Sequence, residues 1–112
     1  MIASMFAPGT LFSHIFHASP VAMTINALAD GRYVDVNDSY VRLIGFSREE
    51  MIGQRAVDLG ILSRRQRESV VQNLLQSGGL ANDPQELRHR SGQVRQVIVS
   101  AQLEEHEGAL YT

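Results

Sequence analysis

The sequence predicts an α+β domain: an antiparallel sheet with short helices gathered on one face and an amphipathic helix leading in. Two observations carry this. Two alternating apolar–polar runs precede the helical segments and three follow them. Between these runs stand three helix starts, announced by capping residues at Asn37, Ser47 and Ser63. The 112 residues, 44% hydrophobic and 20% charged, suit one core and leave no room for a second.

Taken in order, residues 1–9 read as a flexible lead-in to a single domain over residues 10–112. Thr10 is placed to cap a helix whose Leu11, Phe12, Ile15 and Phe16 form one apolar stripe, and Ser19-Pro20 ends it. Residues 21–28, VAMTINAL, alternate as a strand, with Val21, Met23 and Ile25 on one face and Ala22, Thr24 and Asn26 on the other. A turn at Ala29-Asp30-Gly31-Arg32 returns the chain as a second strand, Tyr33 to Val36.

Asn37 caps the next helix, Tyr40, Val41 and Ile44 form its apolar stripe, and Gly45 stops it. Ser47 and Glu50 then make a capping box, with Phe46 and Met51 at the staple positions, and Gly53 closes that short helix. Residues 54–62 read as a loop. Ser63 and Gln66 repeat the box spacing at a longer helix, which carries Val70, Val71, Leu74 and Leu75 inward and ends at Gly78-Gly79. A polar strand from Gln85 to Arg90, a turn at Ser91-Gly92 and a longer strand from Val94 to Leu103 follow. His106-Glu107-Gly108 reads as a turn, and Ala109 to Thr112 as the start of a last strand cut short. The outer sheet face is also apolar, which calls for a second cover: the N-terminal helix or a partner.

These residues resemble the PAS sensor domains. The resemblance rests on Ser19-Pro20, Asp30-Gly31-Arg32, Val36-Asn37, Leu43-Ile44-Gly45-Phe46, the run Ser47 to Gly53, and Arg90-Ser91-Gly92, and extends from about residue 11 to the C-terminus. It implies a five-stranded antiparallel sheet in order 2-1-5-4-3, with helices enclosing a pocket on one face. It also implies a sensory, signal-transducing module of a larger regulatory protein: a histidine kinase of a two-component system, a cyclic-di-GMP enzyme or a transcription regulator. Such a module acts by dimerisation and small-ligand binding, is not itself an enzyme, and passes its signal to a C-terminal output domain in cis, a kinase or cyclase among them. The alternative is a pure protein–protein interaction or dimerisation domain with a filled core and no ligand. Because the chain stops at Thr112, a few residues into the implied fifth strand, it reads as a piece of a longer receptor.

Departures from particular branches narrow the cofactor. The flavin photosensor branch (LOV) carries Gly-Arg-Asn-Cys, and the matching stretch here is Gly53-Gln54-Arg55-Ala56, so no flavin–cysteine adduct is expected. Haem-binding members use an axial His, commonly on the long helix, and residues 63–77 contain none. The absence of Trp counts against the redox-flavin branch. The cofactor is otherwise left open.

Charge and composition exclude other classes. A net charge of −2 and a pI near 6.0 argue against nucleic acid or an anionic membrane as the main partner. No apolar run is long enough to span a bilayer, and the first residues lack the basic start of a signal peptide, so a cytoplasmic location without membrane contact is expected. Zero Cys removes disulfides, thiolate metal sites and thiol nucleophiles. His14 and His17 lie a helical turn apart, but no carboxylate or third His accompanies them in sequence, so no metal site is assigned. His89 and His106 read as solvated, Asp35 and Asp38 as solvent-facing or capping, and the three Arg between Ser63 and Arg67 as a solvated face. No nucleophile with an oriented base can be read, so no catalytic residue is assigned.

The functional surface expected is a pocket between sheet and helices. From the sheet it draws Ala22, Thr24, Leu87, Gln96, Ile98 and Ser100; from the helical side Tyr40, Ile44, Ile52, Ala56, Leu59, Val71 and Leu75. A homodimer interface is expected from Leu11, Phe12, Ile15 and Phe16 packing on Met23, Ile25, Val97 or Val99.

Overall fold

The computed structural model describes residues 10–112; the lead-in expected over residues 1–9 lies outside the described residues. Thr10 caps α1 (Leu11–Ala18) through a hydroxyl that accepts from the Ser13 N–H, and Ser19, in extended backbone before Pro20, ends it. A hairpin follows, β1 (Thr24–Asn26) against β2 (Tyr33–Val36). The first strand is shorter than its alternation suggests. Met23 spends its N–H on the Asn37 side chain and its carbonyl on the Asn37 N–H, so residues 21–23 serve the helix cap and not the ladder.

Asn37 then starts α2 (Asp38–Ile44) and is fully buried. Its Oδ1 accepts from the N–H groups of Met23 and Tyr40 at 2.9 and 3.0 Å, and its Nδ2 donates to the carbonyls of Phe16 and Val21 at 3.0 and 2.7 Å. One side chain thus fastens the end of α1, the linker after it and the start of α2. Ser39 adds a hydroxyl bond of 2.6 Å to the Ser19 carbonyl.

Gly45 stops α2 at φ +84°, and a side chain there would collide with the His89 imidazole. The expected capping box is present at α3 (Arg48–Met51) and again at α4 (Arg64–Ser77). The first box does a second job. Glu50 also pairs with Arg90, whose guanidinium lies 5.2 Å from the centre of the Phe46 ring and whose N–H donates to the Ile44 carbonyl. The turn after β3 is thereby docked onto the corner between α2 and α3.

β3 (Gly79–Arg88) begins six residues before the expected Gln85 and stops two before the expected Arg90. Its first half hides from period-two reading: the register slips between Leu80 and Asp83, Asn82 takes φ +52°, and Pro84 cannot donate to a ladder. β4 (Val94–Gln102) pairs with it, and β5 (Glu104–His106) pairs with β6 (Ala109–Tyr111) across a tight turn of Glu107 and Gly108, both at positive φ.

The expected α+β arrangement of antiparallel strands and short helices is present, with the described strands paired as three two-stranded ladders. Leu103 interrupts β4 and β5 because its N–H goes to the Gly78 carbonyl. β6 meets β1 through a bridge from Ala27 to Tyr111 and a reciprocal pair of bonds between Asn26 and Thr112, at 2.7 and 2.9 Å. The main core gathers Tyr33, Val36, Tyr40, Ile44, Met51, Ala56 and Ile61 from β2, α2, α3 and the following loop.

Asn37→Ala strands four backbone groups, those of Phe16 and Tyr40 buried and those of Val21 and Met23 part-buried, and removes a helix cap; it should cost about 3 kcal/mol in urea unfolding. A loss below about 1 kcal/mol would show that water replaces it at no penalty. For Glu50, the Ser47 N–H first and Arg90 second hold the carboxyl below its ordinary 4.5. A depressed value means stability present above the unfolded pKa and lost as pH falls through the folded one. The melting-temperature gap between wild type and Glu50→Gln should therefore be widest at neutral pH and close on acidification, and a gap that stays constant would refute the link.

Candidate functional site

The core centres on two tyrosines from adjacent elements. Tyr33 on β2 and Tyr40 on α2 are 3% and 8% exposed, their rings 5.8 Å apart and their hydroxyl oxygens 2.6 Å apart. Burial pushes both phenols up: Tyr40 to about 12, and Tyr33 further still, raised again by its neighbour. Around them lie Val36, Ile44, Met51, Ala56 and Ile61, so the pair is a polar point in apolar surroundings.

Of the expected pocket residues, Tyr40, Ile44 and Ala56 belong to this cluster, and Ala22, Ile52, Leu59 and Leu87 pack half-buried against it. Thr24 is half-buried and donates its hydroxyl to Asn26 Oδ1, and Val71 is half-buried on α4. The rest are placed elsewhere. Gln96, Ile98 and Ser100 were expected beside Leu87, but the register pairs Leu87 with Arg95 and Gln85 with Val97. Residues of odd number in β4 therefore share the Leu87 face, while Ile98, 72% exposed, opposes Pro84 on the other. Gln96 there donates to Glu86, and Ser100 accepts from the Asn82 N–H. Leu75 is likewise corrected. Leu74 takes the fully buried position on α4, and the next residue, rotated about 100° around the helix, is 59% exposed.

The expected dimer residues also divide. Leu11, Phe12, Ile15 and Met23 are exposed, but Phe16 is buried in its own chain, and Ile25, Val97 and Val99 are half-buried. Open depressions of about 570 and 360 Å³ lie away from the tyrosines. The larger, between the end of α4 and the irregular part of β3–β4, includes Ser100; the smaller, between residues 57–66 and β3, includes Leu87.

Several charged residues differ from their sequence reading. Asp35 is buried, accepting from Arg48 Nε at 2.9 Å and from the Val36 N–H, with His17 Nε2 at 3.8 Å. Carboxylates thus do accompany His17, since Asp38 stands 3.9 Å from its other nitrogen. Arg67 leaves the solvated face and reaches the Leu28 carbonyl at 2.6 Å, lying against Gly31, where an added Cβ would sit 2.6 Å from its Nε. His89 is half-buried against Gly45, and the buried Nε2 of His106 has no hydrogen-bond partner among the described residues. At the site, sequence reasoning missed Tyr33: strict alternation puts residues 33 and 36 on opposite strand faces, and only the register shift in the β1–β2 pair brings both to the core.

The family model for the PAS fold matches residues 10–110. Solved structures agree in fold. The chain is similar, at 18% identity and a TM-score of 0.71, to the PAS domain, in complex with ethanol, of a LuxR-family transcriptional regulator from Burkholderia thailandensis, covering 88% of this chain and 90% of that one. It is similar at 22% identity and a TM-score of 0.71 to a domain of a sensor histidine kinase/response regulator from Geobacter sulfurreducens, covering 89% and 86%. A PAS domain from Colwellia psychrerythraea matches at 18% identity and a TM-score of 0.73, covering 88% and 87%. No curated protein matches the chain.

The raised tyrosine values carry a pH signature. A folded value above the ordinary 10.0 keeps stability intact below pH 10 and removes it as pH climbs toward Tyr40's value of about 12. Absorbance at 295 nm should show two tyrosines that ionise only as the fold opens. Smooth ionisation of every tyrosine near pH 10, with circular dichroism unchanged, would contradict the buried pair.

Proposed function

Since this chain belongs to the PAS family, whose model matches nearly its whole length, we propose that it is the sensory module of a larger cytoplasmic regulator. In this reading it dimerises through α1 and holds a small ligand in its core. Kinase and transcription-regulator relatives of the same fold support the setting, a two-component or transcriptional one with an output domain in cis. No described helix is long and apolar enough to cross a membrane.

The observation that supports the dimer is the apolar face of α1 that no other described residue covers. Leu11, Phe12 and Ile15 all point outward, while Phe16 and Ser13 face the chain, so the helix is docked by one side and apolar on the other. Met23 is the other exposed member of the expected set, so this reading keeps Leu11, Phe12, Ile15 and Met23 as the interface. Ligand binding draws support from the ethanol held by the Burkholderia thailandensis relative. The filled-core alternative has its own support in Val36, Ile44 and Met51, all without exposed surface.

Light scattering should give a dimer mass for the wild type and a monomer mass for Phe12→Glu, with circular dichroism unchanged. A monomer at high concentration, or a mass that Phe12→Glu leaves alone, would remove α1 from the interface.

A further inference from the structure

We propose that His17 is a proton-operated latch for α1: on acidification its imidazolium ties the last turn of that helix to Asp35 on β2 and Asp38 on α2. The module then responds to pH through α1, whatever its core holds, and a single copy of the chain suffices.

The latch is a ring set between two carboxylates. His17 Nε2 stands 3.8 Å from Asp35 Oδ2, and Nδ1 stands 3.9 Å from Asp38 Oδ1. Asp35 is 3% exposed, and its other oxygen, Oδ1, already accepts from Arg48 Nε and the Val36 N–H. The neighbouring residue sets the place of the imidazole. Asn37 holds the Phe16 carbonyl at 3.0 Å, and the Phe16 ring meets that of His17 edge-on, 5.1 Å between centres.

The protonation state decides how well this arrangement is met. A neutral imidazole has one N–H and one lone pair. In either tautomer, therefore, one of the two carboxylates faces a lone pair. Only the imidazolium presents an N–H to both. Charge points the same way: two carboxylates and the Arg48 guanidinium leave one negative charge, which a protonated His17 cancels. Arg48, from α3, opposes a second cation, but it engages Oδ1 and leaves Oδ2 to the imidazole. The other charged groups of the packed elements are placed elsewhere. Arg42 of α2 donates to Ser39 Oγ and Glu50 of α3 pairs with Arg90, while Glu49 of α3 and His14 of α1 are exposed. His17 also lies in the last turn of α1, where the helix dipole favours a cation. Histidine gains its proton between about pH 8 and about pH 5. The extra hold on α1 is thus present at the acid end of that range and lost at the alkaline end.

The test is amide hydrogen exchange on the full chain, each rate divided by its intrinsic value at the same pH. From about pH 8 to about pH 6, protection of the α1 amides should rise about fivefold relative to those of α4, the scale of partly exposed ion pairs. His17→Gln keeps a polar side chain that never charges, and should abolish the rise. Asp38→Asn, at an exposed position, should reduce it. His14→Gln should leave it intact, and so should Phe12→Glu on the outer face of α1, which separates the latch from dimerisation. Relative protection of α1 that does not change with pH in the wild type overturns the latch. The same rise in His17→Gln overturns it too. A rise that disappears in Phe12→Glu assigns the pH dependence to the dimer and overturns the latch while leaving the dimer standing.

Discussion

Asn37 is the point on which the described fold depends. A helix start, a helix end and a linker each leave backbone groups unmet, and here four of them converge on one amide side chain. An amide has two donor hydrogens and an acceptor oxygen, and in this position all are used. Ser has no second donor and Asp has none at all, so neither could do the same. The position of α1 is thus not a matter of apolar packing alone. Its inner side is fixed by polar bonds of defined direction, which frees its outer side to remain apolar.

The core shows a different economy. Its main cluster is filled by aliphatic side chains around two phenols that pair with each other. Direct hydrogen bonding between two phenols satisfies both oxygens but only one of the two protons. The dense surroundings of Ile44, Met51 and Val36 restrict what can approach the pair.

What the sequence made legible was local. The caps at Asn37, Ser47 and Ser63 and the stop at Gly45 depend on residues within one helical turn, and the structure reproduces them. The face of β4 was not legible, because its two alternating sets are both apolar near the centre: Val97 and Val99 on one side, Ile98 on the other. Only the pairing with β3, set partly by an irregular stretch at Leu80 to Asp83, decides which set faces inward. Asp35 failed for a related reason. A carboxylate reads as solvent-facing unless its distant partners are known, and Arg48 and His17 come from elements before and after it. At the candidate site, Tyr40 could be found from helical spacing, while Tyr33 needed the hairpin register to bring it alongside.

Glu50 closes the capping box of a four-residue helix and also holds Arg90, forty residues further along the chain. A helix that short has little stability of its own. Its first turn persists because the carboxylate that caps it is held in place from outside, by a cation whose own backbone is tied to the end of α2. Opening the corner therefore means losing the cap, the ion pair and the turn after β3 together. Three segments that look independent along the chain form one cooperative unit, and their amide protons would exchange with solvent in a single event, not in three.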